Sequence, residues 1–162
     1  MEINLEKIKP IQADLDQKIA AIHNVNNHDT KSKRILAFLV ELGELANETR
    51  TFKYWSLKDA SAKEVILEEY VDGIHFLVSL ANDLDIQLDF NVENDKQSLT
   101  QQFIKVFTLA TNLNDNFNNE NIHKLFEQYI KVAISLNFTK DDIINAYMEK
   151  NKTNHQRQAD GY

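Results

Sequence analysis

The 162-residue chain contains no cysteine, one proline and only three glycines. Without cysteine, disulfides and thiolate metal sites are excluded, and the composition suits a reducing compartment such as the cytoplasm. So few helix breakers disfavour a sheet with many tight turns and favour long helices. No apolar run approaches the roughly 18 residues needed to span a bilayer. The opening residues MEINLEKIKP also lack the apolar stretch of a secretory signal, so no membrane association is expected. Cations are in the minority, 18 Lys and Arg against 25 Asp and Glu, for a formal net charge of −7. That balance argues against nucleic acid as a partner, because duplex binding depends on cations that neutralise phosphates. A small phosphorylated substrate stays compatible if metal ions screen the acids.

What is present is ordinary for one globular domain covering residues 1–162: 43% apolar and 27% charged residues, enough for a single helical core. Apolar residues at spacings of three and four predict six helices. The first runs from about Leu5 to His23 and the second from about Lys33 to Thr51, across a polar linker Asn24 to Ser32. An aromatic connector, Phe52-Lys53-Tyr54-Trp55, follows. Ser61 is the expected N-cap of a third helix reaching Asn82, with Glu64 completing a capping box. This third helix is apolar nearly all round, which places it in the middle of a bundle. Asp83 to Lys96 reads as a polar loop or short turn. Leu99 to Leu113 and Ile122 to Leu136 are amphipathic, separated by the asparagine-rich stretch Asn112 to Asn121, and Thr139 with Asp142 starts the last helix.

The chemistry is concentrated in acids on the two most apolar helices. Glu41 and Glu44 lie three residues apart on one helical face, and Glu69 and Asp72 repeat the pattern on the next helix. Glu48 extends the first face, while Glu68 offers a second partner one turn from Asp72, and periodicity does not choose between Glu68 and Glu69. If the four carboxylates converge, each pair at about 5 Å and an effective dielectric of about 20 costs roughly 3 kcal/mol. A bound cation would relieve that repulsion. An all-oxygen donor set selects a hard ion, Mg²⁺ or Mn²⁺, over zinc. The same pattern also occurs on solvated helical faces, and the residues alone leave both readings open. Gly43 and Gly73 stand beside the acidic pairs, and close approach of the two helices would offset their helix-propensity cost of about 1 kcal/mol each. A di-iron centre would need a Glu-x-x-His on two helices. His75 follows Asp72 by three residues, but neither Glu41 nor Glu44 has such a partner, so His75 reads as a hydrogen-bonded bundle histidine. The basic, amide-rich tail from Lys150 to Gln158 reads, from composition alone, as a frayed and solvated helix end.

Four blocks in order, E-L-G-E-L-A-N-E, F-K-Y-W, E-E-Y-V-D-G-I-H-F and K-N-x-x-N-H-x-R-Q-x-x-G-Y, resemble the motif series of the dimeric dUTPases. That family is all-α and belongs to the MazG-like nucleotide pyrophosphatases. The resemblance implies hydrolysis of dUTP to dUMP and pyrophosphate, with magnesium held by Glu41, Glu44, Glu69 and Asp72, thus preferring Glu69 over Glu68. It implies Glu44 as the partner of the attacking water, and Gln12, Trp55 and Phe76 at the uracil. Lys150, Asn154, Arg157 and Tyr162 then face the triphosphate and deoxyribose. A homodimer with site residues donated across the interface also follows from the resemblance. Competing readings keep the acids but change the outcome: a pyrophosphohydrolase for dCTP or a damaged nucleotide, or a cation-binding module without turnover. The spacer from Leu84 to Ile122 matches no motif.

Overall fold

A computed structural model describes residues 1–94 and 96–161. In chain order the elements are β1 (Glu2–Asn4), α1 (Lys9–His23), α2 (Asn27–Thr49), α3 (Lys63–Asn82), β2 (Asp89–Asn91), α4 (Leu99–Asn112), α5 (Asn119–Ser135) and α6 (Lys140–Ala159). The all-α expectation holds, and α3 is the central element, in contact with α1, α2, α5 and α6. Its sequence explains the position: Ile66, Tyr70, Val71, Ile74, Leu77, Val78, Leu80 and Ala81 point to all sides and are all buried. Each large side chain removed from water in this way contributes about 1.5–3 kcal/mol. No helix of the described residues is long and apolar enough to cross a membrane.

Caps set the boundaries. Thr139 accepts from the amide of Asp142 and Asp142 answers at the amide of Thr139, the expected capping box at α6. Ser98 and Gln101 form another at the start of α4. Asn26 accepts from the amide of Asp29 and starts α2 at Asn27, so part of the polar stretch expected as linker is helical. The expected cap at Ser61 is not formed. Its hydroxyl is held by the Glu48 carboxylate, to which it donates, the helix starts one residue later, and Ala62 stands at the N-cap without a side-chain cap.

The first helix begins at Lys9, not Leu5, because the Leu5 amide still bonds to the Leu88 carbonyl next to strand β1, and a turn closed by the Ile8 amide on the Leu5 carbonyl follows. Pro10 then falls in the first turn, where its missing N–H costs nothing. β1 pairs antiparallel with β2, Ile3 opposite Phe90. The segment expected as a polar loop carries a two-residue alternation, with Ile86, Leu88, Phe90 and Val92 buried.

Candidate active site

Packing of α2 against α3 brings three carboxylates together. Glu41, Glu69 and Asp72 each place one oxygen so that all three lie within 4.8 Å of one another. Glu44, one turn along α2, is exposed at the edge of this group, close enough for its charge to act on Glu41 and Glu69. Burial, followed by the negative charges of Asp72, Glu44 and Glu69, pushes Glu41 up to about 7. Burial likewise raises Glu69 and Asp72 above the usual carboxylate range. These acids are spaced and desolvated as a cation would require, and their oxygen-only donor set fits a hard divalent ion. Glu68 lies outside the group; its carboxylate is turned to Lys150, whose ammonium is 2.9 Å from Glu68 and 2.7 Å from Asp72.

The direction of these shifts sets a pH dependence. A carboxyl raised in the folded state binds more protons there than in the unfolded chain between its two pKa values. Metal-free protein should therefore lose melting temperature as the pH rises from about 4.5 through about 7, the window set by Glu41. Millimolar Mg²⁺ binds only the ionised, folded cluster and should reverse the trend by mass action. Calorimetric melts with and without Mg²⁺ across that range test it; parallel curves would mean that the acids do not form a preorganised cation site.

Beside the acids opens a cleft of about 490 Å³ between α1, α2, α3 and α6. Glu41, Asp72, Gln12, Phe76, Lys150, Asn154 and Arg157 all line it. The basic tail is not a frayed end: α6 continues to Ala159 and sets Lys150, Asn154 and Arg157 at spacings of four and three on one face. The cleft thus joins a carboxylate group to a cationic wall, an arrangement able to hold a polyanion next to a metal.

Gln12 is buried at the floor of the cleft. Its Oε1 accepts from Nδ1 of His75 and from the hydroxyl of Tyr147, both at 2.8 Å, and its Nε2 donates to Asp16 at 2.8 Å. The proton of His75 accordingly resides on Nδ1. Burial, aided by the nearby Lys150, lowers His75 to about 3 and keeps it neutral. It stacks on Tyr147 at 4.1 Å and takes no place among the clustered acids, as expected for a bundle histidine.

Among the cleft residues not anticipated from the sequence are Asp16, Arg34 and Ser79. Arg34 donates at 3.1 Å to both the carbonyl and the hydroxyl of Ser79, and also to the Asn27 carbonyl and Asp83. Asp16 is raised by burial, against the opposing effects of the Ser79 hydroxyl, the Gln12 amide and Arg34. One signal was available: Asp16 lies one turn beyond Gln12 on a helix otherwise patterned for burial.

Trp55 is not among the residues that line the cleft. Trp55 sits on the connector, 64% exposed, edge-on to Phe52 and Tyr54. Tyr162 lies outside the described residues. The glycines divide. A Cβ on Gly73 would lie 2.3 Å from the Tyr129 hydroxyl and 3.2 Å from Phe38, whereas one on Gly43 meets nothing within 4 Å. Close packing therefore explains Gly73 and not Gly43. Gly73 accommodates an aromatic ring of α5 as well as the neighbouring α2.

Comparison with known proteins places the chain in a family. A family model described as dUTPase matches residues 4–162, nearly the whole chain. No curated protein matches it.

Proposed function

The chain belongs to the dUTPase family and hydrolyses dUTP, and we propose that it does so by attack of water on the α-phosphate, releasing dUMP and pyrophosphate. The observation that supports this reading is the cleft itself, with clustered carboxylates at one wall and Lys150, Asn154 and Arg157 on another. Glu41, Glu69 and Asp72, with Glu44 at the edge, would hold Mg²⁺, or Mn²⁺ in its place. When bound, the ion supplies Lewis acidity, screening charge on the phosphoryl oxygens and easing deprotonation of water. Glu44 takes the proton of the attacking water. Lys150 and Arg157 neutralise the phosphate chain, Arg157 with a planar donor set suited to two oxygens at once, and Asn154 binds the deoxyribose. No covalent intermediate is required.

Uracil fits between Phe76 and the polar floor around Gln12. Phe76 offers stacking that is nearly indifferent to the pyrimidine, whereas buried polar groups penalise the base that leaves them unpaired. Gln12→Ala should therefore lose more dUTP-over-dCTP discrimination than Phe76→Leu, measured as the ratio of kcat/KM values. An unchanged ratio in Gln12→Ala would move base selection to another group. Tyr162 completes the sugar and phosphate contacts in this reading.

The working unit is a homodimer in the cytoplasm, each copy one domain of residues 1–162. Leu36 and Val40 form an exposed apolar stripe on α2, next to the open position at Gly43, and Tyr54, Trp55 and Leu57 add exposed apolar area on the connector. A second copy covering these surfaces would place Trp55 at the interface.

The test is pyrophosphate release from dUTP, dCTP and dTTP in H₂¹⁸O, with Mg²⁺ or with EDTA. We expect dUTP to be preferred, EDTA to abolish turnover and the label to enter dUMP. Label in pyrophosphate would place the attack on the β-phosphate, and turnover surviving EDTA would remove the metal from the mechanism.

A further inference from the structure

Lys150 occupies an unusual position between two hollows. Among the residues lining the cleft, it alone also lines a second hollow of about 290 Å³, formed with Glu64, Glu68, Val71, Ala146, Glu149 and Thr153. Its side chain is only 12% exposed, yet its ammonium contacts one carboxylate on each side: Asp72 at 2.7 Å and Glu68 at 2.9 Å. Asp72 belongs to the acid cluster of the cleft, whereas Glu68 faces the second hollow and is 61% exposed. Glu149 of the same hollow is paired with Lys152, so Glu68 is the hollow's own partner for Lys150.

We propose that Lys150 is an exchangeable cation that competes with the divalent metal for Asp72, and that Glu68 is the positioning residue that receives it when the metal binds. The proposal rests on the reading of Glu41, Glu69 and Asp72 as metal ligands. An ammonium hydrogen-bonded to Asp72 and a divalent ion on the same carboxylate repel strongly at such range. Lys150 must therefore leave Asp72, and Glu68 already holds one of its protons on the far side of the partition. A bound nucleotide gives the ammonium a third partner, phosphate oxygens, and draws it away from Asp72 as well. Metal and nucleotide are thereby coupled: each binds more tightly in the presence of the other, by the same factor. The lysine offsets part of the cluster's negative charge when both are absent.

The experiment is Mn²⁺ binding to the nucleotide-free full chain at pH 8, read as the free-ion electron paramagnetic resonance signal. Removal of the competing charge in Lys150→Met should tighten Mn²⁺ about tenfold, and Lys150→Arg, which keeps it, should stay near wild type. Glu68→Gln should weaken Mn²⁺ about fivefold, because Lys150 then rests wholly on Asp72, but by less than about twofold in the Lys150→Met background. Glu64→Gln makes the same charge change in the same hollow and should have the smaller effect in both backgrounds. Equal weakening by Glu68→Gln with and without the lysine, or no tightening in Lys150→Met, would overturn the exchange. Failure of the wild-type chain to bind Mn²⁺ at all would instead overturn the metal reading, and the exchange with it. Circular dichroism identifies any variant that does not fold, and the Arg and Gln variants keep the test open if Lys150→Met is one.

Discussion

Glu44→Gln is expected to fold normally and to lose about 10²- to 10⁴-fold of its turnover of dUTP, the range associated with a positioned proton acceptor. The carboxylate is exposed at the rim of the acid group, so an isosteric amide disturbs no buried packing. Two effects of the substitution oppose each other. Loss of the Glu44 charge relieves Glu41 and Glu69, both of which it pushes upward, and makes them easier to ionise. It also removes one negative charge from the neighbourhood of the cation. Both changes alter metal affinity modestly, and saturating Mg²⁺ compensates for them. A missing proton acceptor is not compensated in that way. The deciding measurement is kcat at saturating Mg²⁺ and dUTP. Recovery to near wild-type turnover would reduce Glu44 to a source of charge, and the attacking water would need another partner.

The legible parts of this molecule were those encoded within one helix. The apolar circumference of α3 announced its central place, and the Thr139–Asp142 box marked the start of α6. Acids three residues apart on α2 and α3 face the same direction by helical geometry alone, and Glu41, Glu69 and Asp72 do meet. Features decided by distant partners were not legible. β1 finds its strand at Asp89–Asn91, and neither short segment has the length to announce a sheet. Ser61 has the chemistry of a cap, but a carboxylate brought near it by the preceding connector accepts a hydrogen bond from its hydroxyl. Periodicity left Glu68 and Glu69 open and only the motif resemblance preferred Glu69; the partner that Glu68 takes instead, Lys150, lies far along the chain. Asp16, Arg34 and Ser79 come from three helices, and their common hydrogen-bonded network exists only once those helices have packed.

The largest stability effect is expected at Gly73. Alanine is the better helix former by about 1 kcal/mol, so propensity alone would make Gly73→Ala stabilising. Packing opposes it. The added Cβ would lie 2.3 Å from the hydroxyl oxygen of Tyr129 and 2.9 Å from its Cζ. That ring has little freedom to retreat: it is fully buried, stacked on Tyr70 at 4.4 Å and edge-on to Phe38 at 5.4 Å. Its hydroxyl donates to the Tyr70 carbonyl at 2.9 Å, while the Tyr70 hydroxyl donates to the Tyr129 carbonyl at 3.2 Å. Displacing the ring breaks this reciprocal pair and leaves a buried hydroxyl without an acceptor. Overpacking of about 1–3 kcal/mol and a stranded polar group of similar size outweigh the propensity gain. Gly73→Ala should thus cost about 3 kcal/mol or more, and the neighbouring Asp72 should move with the strained helix and weaken Mg²⁺ binding. Tyr129→Phe removes the closest atom and should recover part of the loss in the double variant. Gly43→Ala is the control on α2. Its Cβ meets nothing within 4 Å, so the isolated chain should gain up to about 1 kcal/mol. If a second copy packs on the Leu36–Val40 stripe, the same methyl group will instead weaken the dimer. Denaturant melts of both variants, with sedimentation of Gly43→Ala, separate these effects; a Gly73→Ala protein as stable as wild type would show that the Tyr70–Tyr129 pair does not fix the approach of α5 to α3.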